Sequence, residues 1–494
     1  MALTKATYRM TKDAFINVKD FGAVGDASTD DTSAFQAAIN EAQANPQKTL
    51  FIPKNEASDY YKITSPIVIT GSIKIQGENT YQTNIWGHGM SAGEFVIDID
   101  GPNGGGGNLN YVEIDGLTLG STDGVPNLLH VNQTSISRFS NIFLRDAVDG
   151  IVLTGTRNFS NIFDRVQFIK DITGTSVKFD SNYNGGGHFT FINCNFGGNI
   201  GMSVDAGAEV EGMSIYSCNF EATTNEAFRG YGSIFGLQIS GCRFEKNGGN
   251  SDIDLRVSNS GQKVVGVDIS GNYFETDANT HAITLGGGSG QCAAININGN
   301  YAQDYSTAFV QFNGGGESGQ ISSNYLQNTP AATSGTRSPV AIFNNRTASG
   351  SIDPEFEIIE GSWTPAFVPE TNSFGAITYD GATGGTYTKI GRVVYFQGYL
   401  ETDSITVGTA TGDVTISGLP YTSQNVNYQE AAISIGTSDT FTGDVPSSGY
   451  VIHNTTTIQP TYRATSNGNT VNLAVADLNT SAGNKIRFSG FYTV

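Results

Sequence analysis

Three glutamates have the spacing that chemistry would need. Glu221, Glu245 and Glu275 each follow a phenylalanine, at intervals of 24 and 30 residues. Glycoside hydrolysis commonly uses two carboxyl groups, about 5–5.5 Å apart for retention and about 6.5–9.5 Å for inversion. Two residues before the glutamates stand Asn219, Arg243 and Tyr273, and the same place further on holds Tyr301 and Tyr325. Tyrosine offers sugars an apolar ring with a polar tip. Asp254, outward on a neighbouring strand, is a fourth candidate carboxylate. The candidate catalytic residues are therefore Glu221, Glu245, Glu275 and Asp254, and the candidate substrate-binding residues are Arg243, Tyr273, Tyr301 and Tyr325. A Phe-Glu pair can equally be a repeat feature that meets a neighbouring chain or caps a loop, and the tyrosines can equally be a contact between chains.

These residues meet only if the chain stacks on itself. Six fragments superpose: FTFINCNF, MSIYSCNF, LQISGCRF, VDISGNYF, ININGNYA and GQISSNYL, ending at Phe196, Phe220, Phe244, Phe274, Ala302 and Leu326. Three weaker copies precede them, around Leu117, Ile142 and Val166. The third place holds Ile or Phe, the eighth mostly Phe or Leu, and the sixth runs from Leu117 through Cys194, Cys218 and Cys242 to Asn272, Asn300 and Asn324. Apolar residues one polar residue apart mark strands with one buried face. Pairs such as Ser240-Gly241 mark a bend between two short strands. A further strand follows in most coils, as in Ile253-Asp254-Leu255 and Ile283-Thr284-Leu285, and glycine runs at 185–187, 286–288 and 314–316 close several turns. Such a period predicts a right-handed parallel β-helix. Coils would lie roughly 4.8 Å apart, which puts glutamates on adjacent coils roughly 5 Å apart and those two coils apart roughly 10 Å. Either hydrolytic geometry is then open, and like charges so close favour keeping a proton on one carboxyl.

Composition sets limits. The chain has 494 residues, 62 of them glycine, a charged fraction of 15% and a net charge of −20. That balance argues against a nucleic-acid partner and makes a strongly anionic substrate less comfortable. The opening stretch does not read as a signal peptide, and no apolar run is long enough for membrane insertion. Cys194, Cys218, Cys242 and Cys292 read as small buried hydrophobes rather than disulfides, which suits folding in a reducing cytoplasm. His88, His130, His188, His281 and His453 are scattered, and neither a metal nor a cofactor is expected.

Residues 1–16 read as a lead-in, 17–110 as an N-terminal cap with the first coils, 111–350 as the β-helix body and 361–494 as a C-terminal β-sandwich. Phe35, Ala38, Ile39 and Ala42 share a helical stripe behind Asp30 or Asp31 as N-cap, a natural lid for an open end coil. Asp20-Phe21-Gly22-Ala23-Val24-Gly25-Asp26, then Asp30-Asp31-Thr32, an Ala-rich helix and Phe51-Ile52-Pro53, resemble the opening of the pectate-lyase-like superfamily. With the coils, the resemblance covers about residues 17–345. It implies the fold, while its members span lyases, hydrolases, epimerases and phage tailspikes. Asp26, Asp30 and Asp31 read as turn and cap residues rather than as acids. Pro354 and the stretch that follows end the coil pattern. Gly361-Ser362-Trp363-Thr364-Pro365, Gly385 to Gly391 and Ile416 to Pro420 resemble a β-sandwich module of phage tail fibres and tailspikes, whose role would be trimer clamping, glycan contact or both. Strands at roughly ten-residue spacing support a sandwich independently.

The combination implies a homotrimeric bacteriophage tailspike of the virion tail. It would fold in the host cytoplasm, attach to the tail or baseplate, and depolymerise capsule or O-antigen at the bacterial cell surface. Without a large N-terminal particle-binding domain, attachment would fall to a short peptide or to sequence further upstream. The alternatives are β-elimination on a uronic-acid polymer, a receptor-binding fibre without catalysis, and a secreted epimerase or pectinase.

Overall fold

The computed structural model describes residues 15–494 apart from 57–58, 101–108, 157, 169–170, 258, 260, 288–290, 315–316, 337–339, 349, 352–357, 427–429, 466–467 and 482. Most of the lead-in, parts of two glycine runs and Pro354 fall outside the described residues. Two compact units are present, residues 1–352 and 353–494.

The first unit is a right-handed parallel β-helix of about 11 turns. Its repeat register is the one the sequence predicts. Ile114 pairs with Phe139, Phe139 with Phe163 and Phe163 with Phe191. The column continues through Ile215, Ile239, Ile269, Ile297 and Ile321. Each coil runs along a first face such as Ser233–Ser240, bends onto a short second face such as Arg243–Glu245, and returns through a third such as Ser251–Leu255. The third face is an 11-stranded parallel sheet. The bend between the first two faces is a left-handed residue in coil after coil: Gly116, Asn141, Arg165, Asn193, Ser217, Gly241, Gly271, Gly299, Ser323 and Asn344 all have φ between 51° and 76°. Glycine adopts that region freely and asparagine with little cost, which is why Gly, Asn and Ser dominate this place.

Identical groups stack inside. Phe196, Phe220, Phe244 and Phe274 lie with ring centroids 4.5–4.8 Å apart. From Cys218 to Asn324, each side chain at the sixth place accepts the backbone N–H of the coil before it. Cys218 Sγ accepts from Cys194 N at 3.4 Å and Asn272 Oδ1 accepts from Cys242 N at 2.8 Å. Asn300 Oδ1 accepts from Asn272 N at 2.9 Å, and Asn324 Oδ1 from Asn300 N at 2.9 Å. Because the bend interrupts the sheet, these amides would otherwise be buried without acceptors. The thiols and amides therefore replace missing ladder bonds, a role beyond the small-hydrophobe reading of the cysteines.

Helix Thr32–Ala44 buries Ala34, Phe35, Ala38, Ile39 and Ala42 against the first strands. Asp31 stands at its N-cap, but its carboxylate accepts the N–H of Val24 (2.6 Å) and Gly25 (3.0 Å) instead. Asp30 takes the N–H of Thr32 at 3.0 Å. Asp26 accepts from Ser28 and Thr29, bonds that hold its carboxyl far below the ordinary range. All three act as turn and cap residues, as their positions suggest. Among the described residues no helix is long and apolar enough to cross a membrane.

The second unit is an antiparallel sheet in which strands Val393–Thr406 and Lys485–Thr493 pair along nine residues. It encloses its own core around Trp363, Phe396, Phe488 and Tyr492.

Candidate functional site

The outer side of the second face carries two columns in strict register. One runs Asn84, Thr118, Phe143, Gln167, Asn195, Asn219, Arg243, Tyr273, Tyr301 and Tyr325. The other contains Glu221, Glu245, Glu275, Gln303 and Gln327. The second-face strands alternate, so Phe220, Phe244 and Phe274 point into the core and their neighbours point out.

The three glutamates differ in surroundings. Glu221 is exposed and accepts Asn219 Nδ2 at 2.9 Å. It lines an open depression with Asp171, Asn195 and Asn199. Glu245, with a side chain only 13% exposed, is ion-paired to Arg243. Glu275 accepts the hydroxyl of Tyr273 at 2.6 Å, and that bond, aided by partial burial, pushes the phenol up to about 12. Tyr273 is therefore a proton donor at neutral pH and unsuited to act as a base. Tyr273, Tyr301 and Tyr325 stack on one another, at 5.2 and 5.8 Å. Rings stacked in this way cover each other's faces and leave edges and hydroxyls to solvent, so a sugar meets them mainly through polar contacts.

Asp254 lies on the neighbouring strand, as the sequence predicts, but it is covered rather than open to substrate, which corrects its place among the candidate catalytic residues. It lies on the third face and its side chain is fully covered. Arg256 folds back over it, with Nε 2.8 and 2.9 Å from the two carboxylate oxygens, and Tyr231 donates to it at 3.2 Å. Its charge is spent on that pair.

A second polar cluster, not recognised from the sequence, lies outside the third face. His130 bonds Asp98 through Nδ1 (2.6 Å) and Thr154 through Nε2 (2.6 Å), with its ring stacked on Phe95 at 4.5 Å. Two coils on, Lys178 Nζ sits 3.7 Å from Asp149, 3.9 Å from Asp180 and 3.7 Å from Asp205. The Asp149 and Asp205 oxygens are thus at most about 7.4 Å apart, twice 3.7 Å. Burial raises Asp149, with the Asp205 charge adding to the effect, and the Thr175 N–H and Lys178 opposing it. Burial alone would lower Lys178, yet Asp149, Asp205 and Asp180 outweigh it and keep the ammonium charged. The signal was present as register: Asp98, His130, Val152 and Lys178 are cross-strand neighbours in the short segments around Ile97, Leu129 and Val177. Among the described residues no three His, Cys, Asp or Glu side chains converge as metal ligands.

Residues 15–247 match the family described as "Rhamnogalacturonase A/epimerase, pectate lyase-like". The resemblance carried by Asp20 to Thr32 and Phe51-Ile52-Pro53 therefore holds for this stretch. Among curated proteins, the chain is 40% identical over 86 residues to mannuronan C5-epimerase AlgE3 of Azotobacter vinelandii, covering 17% of this chain and 4% of that one. The chain thus spans only a small fraction of the curated relative. Among solved structures, PfbA, a surface adhesin of Streptococcus pneumoniae, is 14% identical with a TM-score of 0.52, covering 68% of this chain and 91% of that one. The Dettilon tailspike protein gp208 is 16% identical with a TM-score of 0.43, covering 97% and 94%.

Proposed function

We propose that this chain binds a bacterial surface polysaccharide along the outer second face and cleaves it by glycosidic hydrolysis, with carboxyl groups drawn from Glu221, Glu245 and Glu275. The carrying observation is the register that sets Glu221 beside Glu245 and Glu245 beside Glu275. At about 4.8 Å per coil, adjacent coils approach the retaining spacing and alternate coils the upper end of the inverting one. Arg243 and Tyr273 hold two of these carboxylates in place, and Tyr301 and Tyr325 extend a polar edge for hydroxyl groups.

Hydrolysis fits better than elimination on two counts. A uronate polymer needs a cation to neutralise its carboxylate, and Arg243 is already paired with Glu245. Elimination also needs a base, and the phenol of Tyr273 is held protonated. Excess negative charge instead favours the cationic character of an oxocarbenium-like transition state. A second reading places hydrolysis on the third face, with Asp149 as acid and Asp205 as its partner. It is favoured by the burial that raises Asp149.

The remaining parts of the reading are a homotrimer, attachment to a phage tail or baseplate, and a virion-tail location. They rest on the likeness of 361–494 to tail-fibre modules and on the broad flank a long β-helix presents to a three-fold axis. Sedimentation giving a stable monomer would remove the trimer. For the activity, purified bacterial capsules and O-antigens are incubated with the protein and chain length is followed. Shortening with saturated ends supports hydrolysis, ultraviolet absorbance of unsaturated uronates supports elimination, and binding without shortening supports a receptor-binding fibre.

A further inference from the structure

Four coils before Arg243, the same outer column reaches Phe143. There the surface forms a half-open cleft of about 330 Å³ whose lining includes Asp59, Tyr60, Tyr81, Asn84, Trp86, Phe143 and Arg145. Its walls include two aromatic pairs. Tyr60 stacks on Trp86 with centroids 5.5 Å apart and planes 30° apart, and Tyr81 packs on Phe143 at 4.4 Å. Tyr81 is 72% exposed, a large ring held at the rim rather than in the core. Arg145 lies over the Trp86 ring at 5.5 Å, and its Nε is bonded to Asp146 Oδ2 at 2.6 Å.

These features have a common reading. Trp86 Nε1 is buried without a hydrogen-bond partner, a cost that a phenylalanine at the same place would avoid. Beside this indole, the exposed ring of Tyr81 gives the pocket aromatic area open to solvent. The volume lies at the small end for ligand pockets, about 300–1,000 Å³. Arg145 is paired through Nε with Asp146, and Asp59 also lines the pocket, so an acidic sugar would bring its carboxylate close to two others. Trp86 is covered by Tyr60 and Arg145, but Tyr81 is tilted on Phe143 rather than stacked and stays exposed, so its ring suits the C–H face of a neutral sugar, and Asn84 supplies a polar group.

We propose that this pocket binds a neutral hexopyranose unit of the glycan. The inference rests on the reading of the second face as a glycan surface and adds a specificity site to it. At about 4.8 Å per coil the pocket lies about 19 Å from the Arg243–Glu245 pair, a distance that several linked sugar units cover. It would anchor the chain by a recognised unit while the bond to be cut lies further along.

The chain has two tryptophans, Trp86 and Trp363, so Trp363→Phe leaves one indole as reporter. That variant is titrated with methyl glycosides of glucose, galactose, N-acetylglucosamine and glucuronic acid while emission is followed. The expected result is a saturable change with at least one neutral glycoside, at least tenfold weaker in Tyr81→Ala and unaltered in Glu245→Gln. Should Trp363→Phe fail to fold, subtracting the response of Trp86→Phe from that of the unsubstituted protein gives the same signal. No saturable change with any neutral glycoside overturns the proposal, as does a response to the glucuronide alone. Emission that follows protein concentration and not sugar also overturns it and assigns the pocket to a second copy of the chain. If Trp86 titrates but no polysaccharide is shortened, the pocket stands and hydrolysis falls. If cleavage occurs and Trp86 stays silent, the pocket falls and hydrolysis stands.

Discussion

Replacing Asp252 by asparagine should abolish a specific part of the pH dependence of stability. Asp252 is completely buried. Tyr305 donates its hydroxyl to Oδ2 at 2.5 Å and Asn247 donates to Oδ1 at 3.0 Å. Burial raises its carboxyl from 3.8 to about 7, against the lowering effect of those hydrogen bonds. In the unfolded chain the group is ionised above about pH 4, whereas the folded chain keeps its proton up to about pH 7. The folded state therefore binds more protons in that window, and stability falls as pH rises through it. From pH 5 to pH 7 the loss is two units at about 1.4 kcal/mol each, roughly 3 kcal/mol, after which this contribution is flat. A carboxamide cannot ionise, so the Asp252→Asn variant should lack this slope while other groups titrate alike in both proteins. Hydrogen exchange of peptides spanning 247–255, corrected for the intrinsic rate at each pH, reads the difference locally. Protection should drop between pH 5 and 7 in the unsubstituted protein and hold in Asp252→Asn. Equal slopes in the two proteins, or a rise with pH, would refute the argument that burial dominates at this site.

Asn300→Ala removes the acceptor for Asn272 N–H and the donor to Ile269 O, both at 2.9 Å inside the core. Each buried group left unpaired costs about 1–3 kcal/mol, so the midpoint of guanidinium unfolding should fall clearly. Asn300→Cys should cost less, because the thiols of Cys218 and Cys242 already accept at this place, and equal losses for the two variants would discount the ladder. Ile136 is β-branched, 54% exposed and held at φ 53°, a conformation that asparagine tolerates better. Ile136→Asn should stabilise the isolated chain by about 1 kcal/mol, read as a raised Tm, and a lowered Tm would mean that the isoleucine is covered in the assembly.

The stacking register was legible because every coil repeats the same in-out choices at the third, sixth and eighth places, and parallel strands can slip only by breaking all of them at once. The glutamate column followed from that register without further information. Alternation failed where both sides of a strand are covered. Ser251–Leu255 and His281–Leu285 are buried at every residue, so outward Asp254 lies under Arg256 rather than in water. Mutual stacking of Tyr273, Tyr301 and Tyr325 also follows from equal register but concerns ring orientation, which residue type alone does not give. The His130 and Lys178 cluster was missed because its members come from separate short strands joined by loops of unequal length. The aromatic pocket joins loop residues Tyr60 and Tyr81 to strand residues Trp86 and Phe143, and the repeat carries no trace of the loops.

The central claim is that carboxylates on the second face cut the glycan. It is tested by turnover of a cleavable bacterial polysaccharide with Glu221→Gln, Glu245→Gln and Glu275→Gln, each beside Asp149→Asn, with glycan binding measured in parallel. The account predicts that at least two of the glutamine variants lose about 100-fold or more in turnover while still binding, a loss of about 2.7 kcal/mol or more in barrier lowering, and that Asp149→Asn stays within a few fold of the unsubstituted protein. Undiminished cleavage by all three glutamine variants, with activity lost in Asp149→Asn, would contradict it and move the chemistry to the third face.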